Sequence, residues 1–496
     1  MCDVLNIIKD PALTFNQRYA AMEKAAENSI DVIEVSETTR GFIDGGIVYD
    51  MREGNAPLCP RYVVPDYDLF MKRGSKFLML DAPGDIWDAV SNLMILSRHV
   101  PSVTGMPVYA GHLDRLLEPF VDDKRQARRA IKTLLTYLDR TIPDSFCHCN
   151  IGPYDTAAGR IILDLTAEMQ RPVPNMSLIY NEETPDDFAI KAIETGLIAA
   201  KPSFVNDRVY SRDWNGNYAV VSCYNVLPLG GGGYTLVRLN LKKIAERAGD
   251  EQEFMMLLNN AAIAQCELMD ARIRFIVDEC RFFEHSFLAD EGLLHQDRFV
   301  GMFGLVGLAE CVNTLIGAPG QFGRNPAADA LGERILDRLC EIVEAYTPKY
   351  GRLYLHAQVG VSDDVGVTPG TRIPVGDEPE LPKHLAVTAR MQKNFPAGTG
   401  ELFPFDETVK NNPQYVLDII KGAFMMDMRY FSYYSCDSDV IRITGYLVKK
   451  SDMRKLQNGE AVLNNTTAFG IGAAKANNIL NRKVRGLNIA CQSADK

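Results

Sequence analysis

Short runs of β-branched and apolar residues alternate with well-signalled helices along this chain, and that alternation constrains its architecture more than any other feature. "MSLIY" (Met176–Tyr180) reads as a strand. In the following "ETPDDFAIKAIETG", Thr184 is expected as N-cap, Pro185 at the first helical position, Asp186 and Asp187 in the first turn and Gly196 at the end. Two more strand candidates, Tyr218–Val226 and Tyr234–Leu241, are separated by a turn containing Gly230 to Gly233, and Arg352–Val361 and Val440–Lys450 read the same way. Helical periodicity predicts helices over roughly Phe15–Asn28, Glu118–Leu138, Glu253–Phe283 and Gly332–Tyr346. Strands interleaved with long helices predict an α/β protein, with short spacings that leave room for antiparallel pairing.

At 496 residues the chain exceeds the usual size of one compact domain, so it holds two or more domains or forms one large α/β barrel. Gly and Pro are scattered and no internal repeat is visible, which favours one continuous architecture. A net charge of -11 argues against a nucleic-acid backbone or an anionic membrane surface as partner. The start lacks a basic segment followed by an apolar run, and no stretch of about 18 apolar residues occurs, so a soluble, cytoplasmic protein is expected. Eleven cysteines, an odd number, suit reduced thiols better than a disulfide framework. Cys147 and Cys149, in "CHC", sit too close together to act alone as a tetrahedral zinc site, and no metal is expected.

Several motifs are weak. Gly301, Gly304 and Gly307 have neither dinucleotide nor phosphate-loop spacing and fit glycines packed at a strand-to-helix turn. Gly230 to Gly233 suit a flexible loop as well as a phosphate cradle, and "FGIGAAKANN" (Phe469 to Asn478) is weaker still. No G-x-S-x-G elbow occurs. By pattern alone Cys223 is one of many isolated thiols that act as small core hydrophobes. Gly445, inside "VIRITGYLVKK", marks a bulge or a close backbone approach.

The segment "RITGYLV" (Arg442 to Val448) resembles the signature of the glycyl radical enzymes: an Arg, a β-branched residue, a small residue, then Gly-Tyr and an apolar residue, near the C-terminus. Upstream, "PNMSLIYNEETPDDFAIKAIETG" and "NDRVYSRDWNGNYAVVSCYNVLPLGGGGYTLVRLNL" are similar to the segment that leads through the active-site cysteine of these enzymes. "GPYDTAAGRIILDL" resembles them too, and "GMFGLVGLAECVNTLIG" is similar to a stretch of anaerobic ribonucleotide reductase. Within the superfamily the likeness is nearest to the YjjI-type glycyl radical proteins.

The resemblance implies a ten-stranded α/β barrel of two antiparallel five-stranded half-barrels surrounded by helices, with a cysteine loop and a glycyl radical loop meeting inside. It implies a barrel domain over 1–430 and a C-terminal glycine radical domain over 431–496. Gly445 is then the radical store and Cys223 the hydrogen-abstracting thiyl. Asn225, Glu310, Arg442 and Tyr446 are candidates for substrate contact or loop support. Glycine suits radical storage because its α-carbon can flatten without a side-chain clash. The cysteine must react as a thiol, and apolar burial, which raises a thiol's pKa, suits that role.

No cofactor is expected to stay bound for turnover. The radical on Gly445 would be installed by a radical S-adenosylmethionine activating enzyme carrying an iron–sulfur cluster, under anaerobic conditions, and the family further implies a homodimer and a small-molecule substrate. Departures narrow the reaction. Pyruvate formate-lyase carries two adjacent cysteines at this loop, whereas Ser222 precedes Cys223 here. Dehydratases and several lyases carry Cys-x-Glu, and Asn225 occupies the Glu position. The four-cysteine zinc site of the reductases is not matched, since only Cys436 lies shortly before Gly445, which disfavours ribonucleotide reduction. The rivals are a catalytically idle scaffold or radical-carrying repair protein, a ribonucleotide reductase-like enzyme, and a binding protein in which Gly445 serves only as a bulge.

Overall fold

The structure, a computed structural model, describes residues 2–51, 53–101, 109–142, 146–357 and 360–487. Its strands, in chain order, are β1 (Val48–Asp50), β2 (Tyr62–Val64), β3 (Tyr109–His112), β4 (His148–Ile151), β5 (Asn175–Tyr180), β6 (Ser203–Asn206), β7 (Ala219–Val220), β8 (Val226–Leu227), β9 (Gly231–Asn240), β10 (Phe299–Val306), β11 (Leu353–Ala357), β12 (Glu401–Phe405), β13 (Tyr430–Ser435), β14 (Val440–Ile443) and β15 (Tyr446–Lys449).

Two sheets organise them. A five-stranded sheet runs β1-β9-β10-β11, with β2 also on β9, and a six-stranded sheet runs β12-β13-β6-β5-β4-β3. Pairing is parallel from β3 to β6, from β9 to β11 and between β12 and β13, and antiparallel where β1 and β2 meet β9 and where β13 meets β6. Parallel strands need crossovers, which is why helices such as Ala157–Met169 and Asp186–Ala199 intervene. Among the described residues no ladder joins the two sheets. The strands are buried almost throughout, as expected of sheets covered by helices.

Several expectations are corrected by packing. The helix after β5 starts at Asp186 with Pro185 as N-cap, one residue later than expected, because the Thr184 hydroxyl instead accepts the Asn181 N–H at 3.2 Å. It runs through Gly196 to Ala199, since that glycine is needed for closeness: a Cβ there would overlap the Tyr433 ring. Gly231 to Gly233 belong to β9 rather than to a loop, and side chains there would collide with the carbonyls of Arg298 and Tyr62 or press on Met302. Glu253–Phe283 is helical as Glu251–Arg274, N-capped by Asp250, and then gives way to a π turn at Phe275–Glu279. Gly307, with φ +77°, makes the expected strand-to-helix turn between β10 and Leu308–Ile316. The 430/431 division falls inside β13, a full member of the six-stranded sheet.

Buried charge ties the C-terminal segment to the sheet. Arg485 bonds through its backbone to Pro404 and Asp406 at 2.9 and 2.8 Å, and Arg482 reaches Glu401 of β12 at 3.4 Å. Glu401 also meets His384 at 3.4 Å and Arg372 at 3.8 Å. Burial alone would raise its pKa, but Arg482, His384 and Arg372 outweigh it and bring the group from 4.5 down to about 2. Its stabilisation is therefore complete above pH 4.5 and lost as pH falls toward 2. Glu401→Gln leaves buried cations uncompensated and is expected to cost about 3–5 kcal/mol at neutral pH and to flatten the acid limb of the stability profile. Urea denaturation across pH checks both outcomes.

Candidate functional site

The region read as one strand, Tyr218–Val226, folds as a short hairpin of β7 and β8 with Cys223 in its loop. This hairpin lies between the two sheets. The Asn150 side chain on β4 donates to the Val220 carbonyl at 3.0 Å and accepts its N–H at 3.1 Å, while β8 packs against β9 and Val226 N–H donates to Ala397 O at 3.0 Å. Val221 N–H donates to Asn225 O at 2.9 Å and closes the loop.

Val440–Lys450 is likewise a hairpin and not one bulged strand. Ile443 pairs with Tyr446, so Thr444 and Gly445 form a two-residue turn, and both are buried. Its legs are anchored from both sides. Arg442, 1% exposed, donates to Asn175 Oδ1 at 3.1 Å and Ala200 O at 2.9 Å. The Tyr446 ring packs against Phe146 and Phe469 at 5.3 and 6.5 Å between centroids.

The two loop tips are joined directly. Tyr224, next after Cys223, donates its hydroxyl to the carbonyl of Thr444, next before Gly445. The Tyr224 ring meets Tyr430 edge-on at 5.1 Å and carries the Arg372 guanidinium 4.9 Å above it. Gly398 and Gly400 make room for this ring and backbone: a Cβ at Gly398, whose φ is +113°, would overlap the Tyr224 carbonyl, and one at Gly400 would enter the ring. The residue before each reactive candidate is strained, Ser222 at φ +128° and β-branched Thr444 at φ +53°. Each such conformation costs on the order of 1–3 kcal/mol and persists only where the surroundings over-determine it.

Cys223 is 3% exposed, and burial pushes its thiol pKa up despite the Ser222 hydroxyl 3.8 Å away and the positive field of Arg442. Asn225 donates to the Tyr62 hydroxyl at 3.3 Å, and its own Oδ1 is buried with no partner. Tyr62 lies within electrostatic reach of Cys223, so Asn225 and Tyr62 form a neutral polar flank beside the thiol. Glu310 accepts the Thr368 N–H at 3.1 Å and the Thr368 hydroxyl through one oxygen, its other oxygen is buried without a partner, and burial raises its pKa. Tyr224, Arg372, Tyr430, Tyr62 and Gly398 had escaped sequence reasoning. Only Tyr224 carried a local signal, its place beside the cysteine. Among the described residues no group of three or more His, Cys, Asp or Glu could hold a metal, and no helix is long and apolar enough to cross a membrane.

The arrangement has clear relatives. An anaerobic ribonucleotide reductase from Thermotoga maritima superposes with a TM-score of 0.69 at 13% identity, over 91% of this chain and 94% of that one. Hydroxyproline dehydratase from Clostridioides difficile does so at 0.66 and 12% identity, over 98% and 88%. The fold is thus that of the glycyl radical enzymes. The family model described as "Glycyl radical enzyme YjjI-like" matches residues 13–485, and the chain belongs to that family. A relative from Escherichia coli K12, "Uncharacterized protein YjjI", is 43% identical over 97% of this chain and 95% of its own length.

The raised pKa of Cys223 predicts that it stays a thiol through neutral and mildly alkaline pH. Iodoacetamide at pH 8 is expected to leave Cys223 unlabelled in the native protein and to label it after denaturation, read by peptide mass spectrometry. Rapid native labelling would contradict a buried, protonated thiol.

Proposed function

We propose that the chain is a working glycyl radical enzyme that uses Gly445 and Cys223 as a radical relay on a small molecule. The observation that carries this reading is the hydrogen bond from Tyr224 to the Thr444 carbonyl, which ties the cysteine loop to the glycine turn. The cycle starts when the Gly445 α-carbon radical takes the hydrogen of the Cys223 S–H, restoring glycine and leaving a thiyl. The thiyl takes hydrogen from a substrate C–H, becoming a thiol again and leaving a substrate radical. After rearrangement the product radical recovers hydrogen from the thiol, and the thiyl recovers it from glycine. Each step exchanges one hydrogen atom, so no net oxidant is consumed.

Burial suits both partners, because a thiolate has no S–H to give and an enclosed site shields either radical from oxygen and other side reactions. Asn225, where dehydratases carry a carboxylate, offers a hydrogen-bonding group and not a base, so proton transfer in a lyase or oxidoreductase reaction would fall to another group. Arg442 and Tyr446 are positioning residues that hold the turn. The C-terminal hairpin and its following helices act as the radical domain. A radical S-adenosylmethionine activating enzyme installs the radical, and the protein works as a cytoplasmic homodimer under anaerobic conditions.

Air exposure after anaerobic activation tests the reading. Oxygen adds to a glycyl radical and breaks the backbone, so a large fragment and a tail of about fifty residues are expected, with cleavage mapped to Gly445. Gly445→Ala should remain intact after the same treatment. An intact activated wild-type chain, or cleavage that persists in Gly445→Ala, would overturn the assignment.

A further inference from the structure

Away from the loop tips, a cavity of about 220 Å³ lies in the seam between the C-terminal segment and the body of the fold. One wall is the end of helix Lys124–Thr141 and the turn after helix Ala157–Met169, which supply Asp139, Arg140 and Arg171. The other wall follows directly from the radical hairpin: Lys449 ends β15, Lys455 lies on helix Lys450–Gln457 and Asn464 lies beyond it.

The charge around this cavity is unbalanced. Asp139 is shared by two guanidiniums, Arg140 at 3.2 Å and Arg171 at 3.7 Å, and Asp452 takes Lys455 at 3.2 Å. Four cationic side chains and two carboxylates thus line the cavity, and Asp439, bonded to Ser451 of its wall and within reach of Lys449, still leaves a positive excess. Two donors lack acceptors. Nη1 of Arg171 is buried without a partner. Asn464 is only 6% exposed, and its Oδ1 accepts the Thr466 N–H at 3.0 Å and hydroxyl at 2.6 Å, which directs its Nδ2 away from them, and that nitrogen has no partner. A buried donor without an acceptor is unfavourable, so a ligand that accepts from both would recover that loss.

We propose that this seam cavity binds a small oxyanion of the phosphate class, held by Arg171, Asn464 and Lys455, and that the bound anion fastens the helix following the radical hairpin to the body of the protein. A phosphate group supplies several strong acceptor oxygens to a guanidinium and an amide at once. The volume falls below the roughly 300–1,000 Å³ of sites for larger ligands, which fits a free phosphate or a small phosphomonoester and not a nucleotide. Because both walls contribute, occupancy couples to the seating of β15. The site does not depend on whether Gly445 carries a radical.

Calorimetric titration of the unactivated full chain with inorganic phosphate, and separately with glycerol phosphate, tests this. Saturable binding of either anion is expected, and the tighter of the two identifies the source. Arg171→Gln and Lys455→Gln should each weaken it about tenfold, the loss of one charge-assisted hydrogen bond. Hydrogen–deuterium exchange over 449–464 should slow with the anion bound. Lys455 is 54% exposed, so its variant decides the matter if Arg171→Gln fails to fold. No saturation of either anion up to about 10 mM, or affinity unchanged in the variants, would overturn the proposal.

Discussion

The hydrogen bond between the Tyr224 hydroxyl and the Thr444 carbonyl is the contact on which the candidate site depends, because it joins the neighbours of Cys223 and Gly445, the two residues proposed to exchange a hydrogen atom. One such bond contributes about 1 kcal/mol net. The strained residues in the two loops it joins, Ser222 and Thr444, together cost several times that. The bond therefore positions the loops but cannot hold them alone. The remainder comes from what surrounds it: the Tyr430 ring and Arg372 guanidinium on Tyr224, the clamp of Arg442 on Asn175 and Ala200, and the aromatic packing of Tyr446.

Arg372 also links this clamp to the buried ion network of Glu401 and Arg482, so the C-terminal segment braces the cysteine loop from a distance. The flank of Cys223 itself carries the uncharged side chains of Asn225 and Tyr62, and burial outweighs the positive field of Arg442 on the thiol. That balance matters chemically. A carboxylate or a close ammonium beside the thiol would shift its proton or compete for it, and hydrogen-atom transfer requires the S–H bond to be present.

Much of this was legible in the chain. Alternating strands and helices gave an α/β reading that the sheets bear out, and the glycine and cysteine motifs marked two hairpins that do meet. What failed was local pattern where tertiary packing decides. Tyr218–Val226 and Val440–Lys450 have the composition of strands, yet each turns at its candidate residue, Cys223 or Gly445. Gly196 and Gly231 to Gly233 were read as a stop and a loop because glycine favours both, whereas here it admits a neighbouring ring or carbonyl. Tyr62, Arg372 and Tyr430 come from distant segments and converge only in the fold, so no spacing rule could have found them. Glu310, singled out by likeness, bonds Thr368 through one carboxylate oxygen and keeps the other buried and unpartnered.

The central claim, that Gly445 and Cys223 exchange hydrogen, is tested most directly by electron paramagnetic resonance of the activated protein in heavy water. The hydrogen left on a glycyl α-carbon splits the signal into a doublet. A cysteine S–H exchanges with solvent, so repeated transfer between Cys223 and Gly445 replaces that hydrogen with deuterium. The account predicts a doublet that collapses in heavy water for the wild type and persists in Cys223→Ser. A wild-type doublet unchanged in heavy water, or one that collapses equally in Cys223→Ser, would contradict it.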